Sequence, residues 1–126
     1  MSEILITSGL IQVTVAVLLG WPLALMHSGW KQVGPLRHTK RVLQYHLDNV
    51  FMSILQMVIA TVFPEMPVVA GWLLLVGSWT NPMPFLYMAC SMKPLPEQRG
   101  MRVFSIMSFI IMTTAYMWLV AAWLIR

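Results

Sequence analysis

The chain has 126 residues, of which 59% are hydrophobic and only 10% are charged. A soluble surface needs roughly 25% charged residues, so this composition excludes a typical soluble globular domain. The single cysteine, Cys90, excludes an internal disulfide and any metal centre built from several cysteines. The net charge of +4 lies in short segments between apolar runs, which favours membrane topology signals over nucleic-acid binding.

Four apolar runs are long enough to cross a bilayer, a distance that takes about 20 mostly apolar helical residues. They cover residues 4–26, 42–63, 68–90 and 103–125. The connecting segments are short and contain proline or glycine, as expected for turns. The sequence therefore predicts an all-α membrane protein, with residues 1–126 forming a single four-helix transmembrane domain. We interpret the first run as a membrane span of the mature protein and not as a signal peptide. A signal peptide begins with basic residues, whereas the charged residue before this run is Glu3.

The basic residues are distributed unequally between the two ends of these spans. Seven of the eight lie in the segments 27–41 and 91–102, and the opposite side carries only Arg126 together with Glu3 and Glu65. Loops rich in lysine and arginine remain in the cytoplasm. We therefore expect a multi-pass protein of a bacterial inner (cytoplasmic) membrane. Both basic loops should be cytoplasmic, and both termini should lie on the outer side.

The second run carries a polar stripe. His46, Asn49, Ser53 and Gln56 fall within about 80° of arc on an α-helix, whereas Asp48 projects from another face. Each polar group is costly in lipid unless it is paired, so the stripe should face protein or a cavity. Hydrogen bonds between helices are the simplest interpretation of Ser53 and Gln56. His46 is different, because imidazole is a common ligand of metals and haem.

The third run is interrupted by prolines in its middle. Pro82 and Pro84 lack a backbone N–H, so the carbonyls of Ser78 and Thr80 lose their helical partners. The side chains of Asn81 and Thr80 are positioned to supply replacement hydrogen bonds. Irregular backbone at membrane depth is tolerated only where it is buried in protein or lines a cavity.

Two interpretations of this interruption remain open. One is a proline kink that is packed against the other helices. The other is a pocket wall, in which Asn81 points a donor into the pocket and Trp79 and Phe85 provide aromatic surface.

The segment 46-HLDNVFMSILQMVIATVFP-64, followed by 72-WLLLVGSWTNP-82, resembles the membrane family of styrene oxide isomerase and hydroxylaminobenzene mutase. That family has four spans and a His-Leu-acid opening on the second span, which a proline ends. Its third span has a Gly-x-(Trp/Tyr)-x-Asn core. The resemblance covers roughly residues 40–90.

The resemblance implies an isomerase that depends on ferric haem b, held at the subunit interfaces of a homotrimer. It implies a small apolar aromatic substrate, such as an epoxide that rearranges to an aldehyde with the iron as Lewis acid. The implied roles are axial iron ligand for His46, cofactor contact for Trp79 and catalysis for Asn81, with Asn49 as a substitute polar group. The implied pocket residues are Met52, Ser53, Phe85 and Tyr87.

Three positions depart from the family pattern. Met52 stands where the family has an asparagine six residues after the histidine, and Gly77 replaces an acidic residue. Phe85 stands in place of a tyrosine, although Tyr87 is close by. The scaffold and the haem are therefore better supported by the resemblance than any one reaction.

Two other functions remain as alternatives. One is a non-catalytic haem-binding or quinone-binding subunit of a redox complex, which generally needs a second strong axial ligand. The other is a small membrane transporter, which needs a carboxylate inside the membrane. Asp48 is the acidic residue to consider for that role, although the sequence places it near the mouth of the bundle.

Overall fold

The computed structural model describes residues 1–91 and 99–126, and it confirms the prediction of an all-helical fold for these ranges. Lys93, part of the predicted basic loop 91–102, lies outside the described residues. The helices are α1 (Ser2–His27), α2 (Thr39–Val62), α3 (Val68–Thr80), α4 (Met83–Cys90) and α5 (Arg99–Ile125).

The third apolar run forms two helices instead of one. Helix α3 ends at Thr80 and α4 begins at Met83. The two intervening residues keep helical backbone angles, with φ −62° and ψ −40° at Asn81 and φ −73° and ψ −20° at Pro82. The missing proline N–H groups thus interrupt the hydrogen-bond ladder, while the chain remains in a helical conformation.

Helices α1 and α2 form a close antiparallel pair. At one end of the pair, the Ser2 hydroxyl donates a hydrogen bond of 2.8 Å to the Pro64 carbonyl. Further along, Gly9 lets the two backbones approach closely: a Cβ atom at this position would lie only 2.9 Å from the Ser53 carbonyl oxygen. Small residues at such crossings are typical of helices that pack in membranes.

Helix α5 packs against α3 and completes the core. The side chain of Met112 lies against Gly77, in space that a larger residue would fill. The Phe63 and Trp123 rings meet edge to face, with centroids 5.2 Å apart, where α2 and α5 end. The main core cluster draws on α1, α2, α3 and α5 and consists of Leu5, Ala60, Met66, Ala70, Leu74, Met112, Ala115 and Leu119.

The loop between α1 and α2 lies at the end of α4. The backbone N–H of Arg37 donates a hydrogen bond of 2.9 Å to the Ala89 carbonyl, and Nε2 of His38 lies 2.9 Å from the Ser91 carbonyl. The basic residues of segment 27–41 are therefore at the same end of the bundle as the start of the 91–102 connection.

Two helices are long and apolar enough to cross a membrane. Among the described residues these are α1 and α5, and only 22% of each apolar window is buried inside the molecule. The core helix of a soluble protein would be mostly buried, whereas here large apolar side chains such as Trp21, Phe109 and Leu124 are 71%, 68% and 76% exposed. The other helices have a polar face (α2) or only 13 and 8 residues (α3 and α4).

Candidate functional site

Three carboxamide side chains meet in the middle of the bundle, and we call them the amide cluster: Gln12, Asn49 and Gln56. None is more than 1% exposed. Gln12 Nε2 donates to Asn49 Oδ1 at 3.1 Å and to the Ser78 carbonyl at 2.8 Å, while Gln56 Nε2 donates to Gln12 Oε1 at 2.6 Å. Asn49 Nδ2 donates to the Tyr45 carbonyl at 2.8 Å. The cluster thus connects α1, α2 and α3.

The amide cluster compensates for a proline. The Ser78 carbonyl would normally accept from the N–H four residues later, but that residue is Pro82. Gln12 Nε2 supplies the missing donor from α1. The expectation that Asn81 or Thr80 would supply it is wrong for Ser78, because both side chains bond other partners.

Two backbone carbonyls fix the orientation of all three amides. A carbonyl only accepts, so Ser78 requires the NH₂ group of Gln12, which directs the Gln12 oxygen towards Gln56 Nε2. The Tyr45 carbonyl likewise requires the NH₂ group of Asn49, which leaves the Asn49 oxygen for Gln12. No other set of amide orientations satisfies these contacts, so this part of the stripe serves interhelical hydrogen bonding.

His46 lies at the edge of the stripe and bonds outside the amide cluster. Its Nδ1 is 2.7 Å from the carbonyl oxygen of Ala16 on α1. Because the carbonyl only accepts, Nδ1 carries the proton, and in the neutral ring Nε2 keeps its lone pair. Within residues 1–91 and 99–126, no hydrogen bond involves Nε2. The ring is half-buried beside Gly20, where a Cβ atom would lie 4.0 Å from Cε1.

Asn81 lies on a different side of α2 from His46. Its Nδ2 donates to Asp48 Oδ2 at 3.3 Å, so the interruption between α3 and α4 faces Asp48. Asp48 and His46 are two residues apart on one helix and project about 200° apart. One chain therefore presents its candidate iron ligand and its candidate catalytic amide on separate surfaces.

The aromatic candidates also line different grooves. Asn81 and Phe85 lie in a groove of about 530 Å³ between α4 and α5, which also contains Ser105. Trp79 lies in a second groove of about 490 Å³ between α1 and α3, and its Nε1 donates to the Ser8 hydroxyl at 2.8 Å. His46 lines neither of these two grooves.

The remaining candidates are divided between the bundle interior and α4. Asn49 belongs to the amide cluster, and Ser53 is fully buried with its hydroxyl bonded to the Val50 carbonyl at 2.7 Å. Met52 is half-buried against the main core cluster. Tyr87 is half-buried on α4.

Sequence reasoning missed Gln12, whose contacts tie α1 to both α2 and α3. The available signal was a carboxamide inside the apolar run 4–26, where an unpaired amide would be costly. It also missed the hydroxyls of Ser8 and Ser108, which bond Trp79 and Thr80 at 2.8 Å each.

Comparison with known proteins identifies no relative: no family model, no curated protein and no solved structure matches the chain. Within the described ranges, no three His, Cys, Asp or Glu residues come together as a metal-binding group.

Proposed function

We propose that the chain is a four-span inner-membrane protein that binds haem b through His46 and acts as an isomerase on a small apolar aromatic molecule. The all-helical fold, the two long apolar helices and their exposed apolar surfaces support the membrane part. Loop 28–38 contacts the end of α4, so the two lie at the same end of the bundle. This supports a topology with both basic loops in the cytoplasm and both termini outside.

The observation that carries the proposal is the geometry of His46. Histidines that bind metals usually donate their second ring N–H to a carbonyl or carboxylate, which fixes the tautomer and increases ligand basicity. The bond between Nδ1 and the Ala16 carbonyl has this form, and it leaves Nε2 for iron. Gly20 has no side chain, so it leaves space beside the His46 ring. These residues fit a site at a lipid-facing or subunit-facing surface, where His46 would hold the haem iron.

Ferric iron, when bound, supplies an electrophile for an oxygen atom of the substrate. The chain's own contribution is to position groups and to exclude water. Asp48 orients the Asn81 amide, and the apolar groove beside it keeps a reacting molecule away from bulk water. Because His46 and Asn81 face different sides of α2, a site that uses both requires two protomers. The proposed assembly therefore has its sites between subunits, and the number of subunits proposed, three, is the one that the family resemblance implies.

We expect the His46→Ala variant to lose at least nine-tenths of the haem that the unchanged protein retains after haem-supplemented expression. The Soret absorbance band of the purified protein, normalised to protein concentration, measures this. His27→Ala is the matched control and should retain full haem, because within the described residues no hydrogen bond orients the His27 ring as the Ala16 carbonyl orients that of His46. Added imidazole should restore part of the band to His46→Ala by replacing the missing ligand.

Two results would contradict the haem proposal: no Soret band in the unchanged protein, or full haem in His46→Ala. The type of spectrum separates the enzyme from an electron-transfer subunit. A high-spin ferric spectrum that shifts on addition of an aromatic epoxide, with aldehyde formed, supports the isomerase. A low-spin bis-histidine spectrum supports the redox subunit instead.

Asp48 favours a second candidate function, a small proton-coupled transporter. The carboxylate is half-buried on α2 and is held by an amide at the interruption of a neighbouring helix. Ionisable groups inside membrane bundles commonly mark transport pathways. Under this alternative, Asp48→Asn abolishes proton-driven uptake of an apolar substrate by vesicles, whereas Glu3→Gln at the opposite, exposed end leaves it unchanged. Uptake by the unchanged protein no faster than by protein-free vesicles excludes the transporter, and equal uptake by Asp48→Asn and the unchanged protein excludes the role of Asp48.

A further inference from the structure

A pocket between the ends of α2 and α5 carries one residue of each charge, and we call it the charged pocket. Glu65 lies in the turn between α2 and α3, Arg126 follows α5, and both line the pocket together with the Trp123 ring. Its volume is about 380 Å³. Loop 28–38 and the end of α4 lie at the other end of the bundle, so the proposed topology places the charged pocket on the outer side of the membrane.

The two charged side chains of this pocket do not pair with each other. In the part of the chain that the structure describes, neither a hydrogen bond nor an ion pair involves the Glu65 carboxylate. The Arg126 guanidinium stacks on the Trp123 ring, 3.2 Å from its centroid, and its Nε donates to the Trp123 carbonyl at 3.2 Å. These contacts hold the guanidinium in place and leave its two terminal NH₂ groups for an anion.

An apolar groove continues from the charged pocket along α2 and α5, and we call it the α2–α5 groove. Its volume is about 270 Å³, and Val62, Phe63 and Trp123 line both spaces. It follows α5 from Leu124 back to Tyr116, which is about 12 Å at the rise of an α-helix. Among the described residues, its lining contains no charged side chain. The two helices thus present a polar pocket at the membrane surface that opens into an apolar groove at membrane depth.

We propose that this junction binds one phospholipid whose headgroup carries a phosphate and a primary ammonium, phosphatidylethanolamine. The terminal NH₂ groups of Arg126 match the phosphate oxygens, and the Glu65 carboxylate accepts from the ammonium N–H groups. One acyl chain lies in the α2–α5 groove.

Other occupants use fewer of these features. A soluble anion leaves the α2–α5 groove empty, and an anionic lipid without an amine offers nothing to Glu65. A quaternary ammonium headgroup has no N–H to donate to the carboxylate. Charge complementarity therefore favours phosphatidylethanolamine over each of them.

The inference rests on the membrane part of the proposed function and is independent of haem and of His46. Alkaline extraction of membranes tests that part separately. If the chain resists extraction and binds no lipid preferentially, only the lipid site is wrong. If the chain is released, the membrane topology is wrong and the lipid site with it. If the lipid binds and no Soret band forms, only the haem assignment is wrong.

Native mass spectrometry of the full chain in detergent measures the binding. Phosphatidylethanolamine, phosphatidylglycerol and phosphatidylcholine with identical acyl chains are added separately. The unchanged protein should bind phosphatidylethanolamine about fivefold more tightly than either of the others, as expected for the hydrogen bond to Glu65. Glycerophosphoethanolamine, the same headgroup without acyl chains, should bind at least about tenfold more weakly, which separates a lipid from a soluble ligand.

Two substitutions in the charged pocket separate the contributions of its charges. Arg126→Gln should weaken phosphatidylethanolamine and phosphatidylglycerol alike by about tenfold, because both lipids carry the phosphate. Glu65→Gln should make the two affinities equal, because only one of these lipids carries the ammonium. Arg102→Gln, the same substitution near the start of α5 and outside the pocket, is the matched control and should change neither the affinities nor their ratio.

A third substitution tests the α2–α5 groove. Val120→Trp fills the groove without removing either charge and should weaken phosphatidylethanolamine by about fivefold. Val103→Trp is the matched control, because Val103 and Val120 are similarly exposed on α5, at 52% and 56%, and Val103 lies outside the groove. Equal binding of the three phospholipids, equal binding of the headgroup with and without acyl chains, or an unchanged preference in Glu65→Gln would overturn the proposal.

Discussion

Replacing Gln12 with leucine is expected to destabilise the protein by about 3 kcal/mol. The substitution leaves three buried groups without their partner: the Ser78 carbonyl, Asn49 Oδ1 and Gln56 Nε2. Each buried polar group that loses its only partner costs about 1–3 kcal/mol, and partial rearrangement keeps the total near the lower end. Unfolding of the purified protein in mixed detergent micelles, followed by circular dichroism, measures the loss.

The Pro82→Ala substitution tests the physical reason for this loss. Alanine restores the N–H that the Ser78 carbonyl lacks, and the backbone at position 82 already has helical angles. The double variant Gln12→Leu with Pro82→Ala should therefore recover about 1 kcal/mol relative to Gln12→Leu alone. Gln44→Leu, which loses only a bond to Arg41, is the matched control and should cost less than about 1 kcal/mol. Identical stability of the single and double variants would refute the role assigned to Gln12.

A methyl group at Gly9 is expected to separate α1 from α2 and to cost about 2 kcal/mol, typical of overpacking. The new Cβ atom would lie 2.6 Å from Met57 Cγ and 2.9 Å from the Ser53 carbonyl oxygen. The methionine can move aside, but the carbonyl belongs to the backbone of α2. The helices must therefore shift, and the shift also lengthens the bond between His46 and the Ala16 carbonyl.

Gly20→Ala provides the comparison on the same helix. Its Cβ atom would lie 4.0 Å from His46 Cε1, an ordinary van der Waals distance, so without a clash the higher helix propensity of alanine should stabilise the variant by about 0.5–1 kcal/mol. The same detergent unfolding measurement applies to both variants. Equal stability of Gly9→Ala and Gly20→Ala would show that α1 and α2 are not packed as closely as described.

Hydropathy and helix geometry were sufficient to predict an all-helical fold and a single polar face on α2. The helical fold and the polar face both depend on the order of residues within one segment, which can be read from the sequence. The partner of each polar group could not be predicted in the same way. Gln12 and Ser78 are separated by 66 positions, and their contact depends on the register of α1 against α3. That register follows from the packing of several helices, in which Gly9 meets α2 and Gly77 meets α5, and no single segment reveals it.

The candidate site was less predictable than the fold, for a geometric reason. Trp79 and Asn81 stand close in sequence, but two positions on a helix project about 200° apart, so they enter different grooves. The sequence places Asp48 on a face away from the polar stripe, and in the structure Asn81 is the partner of Asp48 on that face. The functional role of each residue remains a prediction that the haem and ligand experiments test.

The polar face of α2 has a consequence for biogenesis. A segment that presents Asn49, Ser53 and Gln56 to hydrocarbon partitions poorly by itself, because each amide or hydroxyl would lack a partner. Helix α1 brings the complementary carboxamide and is synthesised first. In the proposed four-span topology, the two segments should accordingly leave the translocation machinery as a preassembled hairpin, and a ribosome-stalled chain that ends shortly after α2 should already resist alkaline extraction.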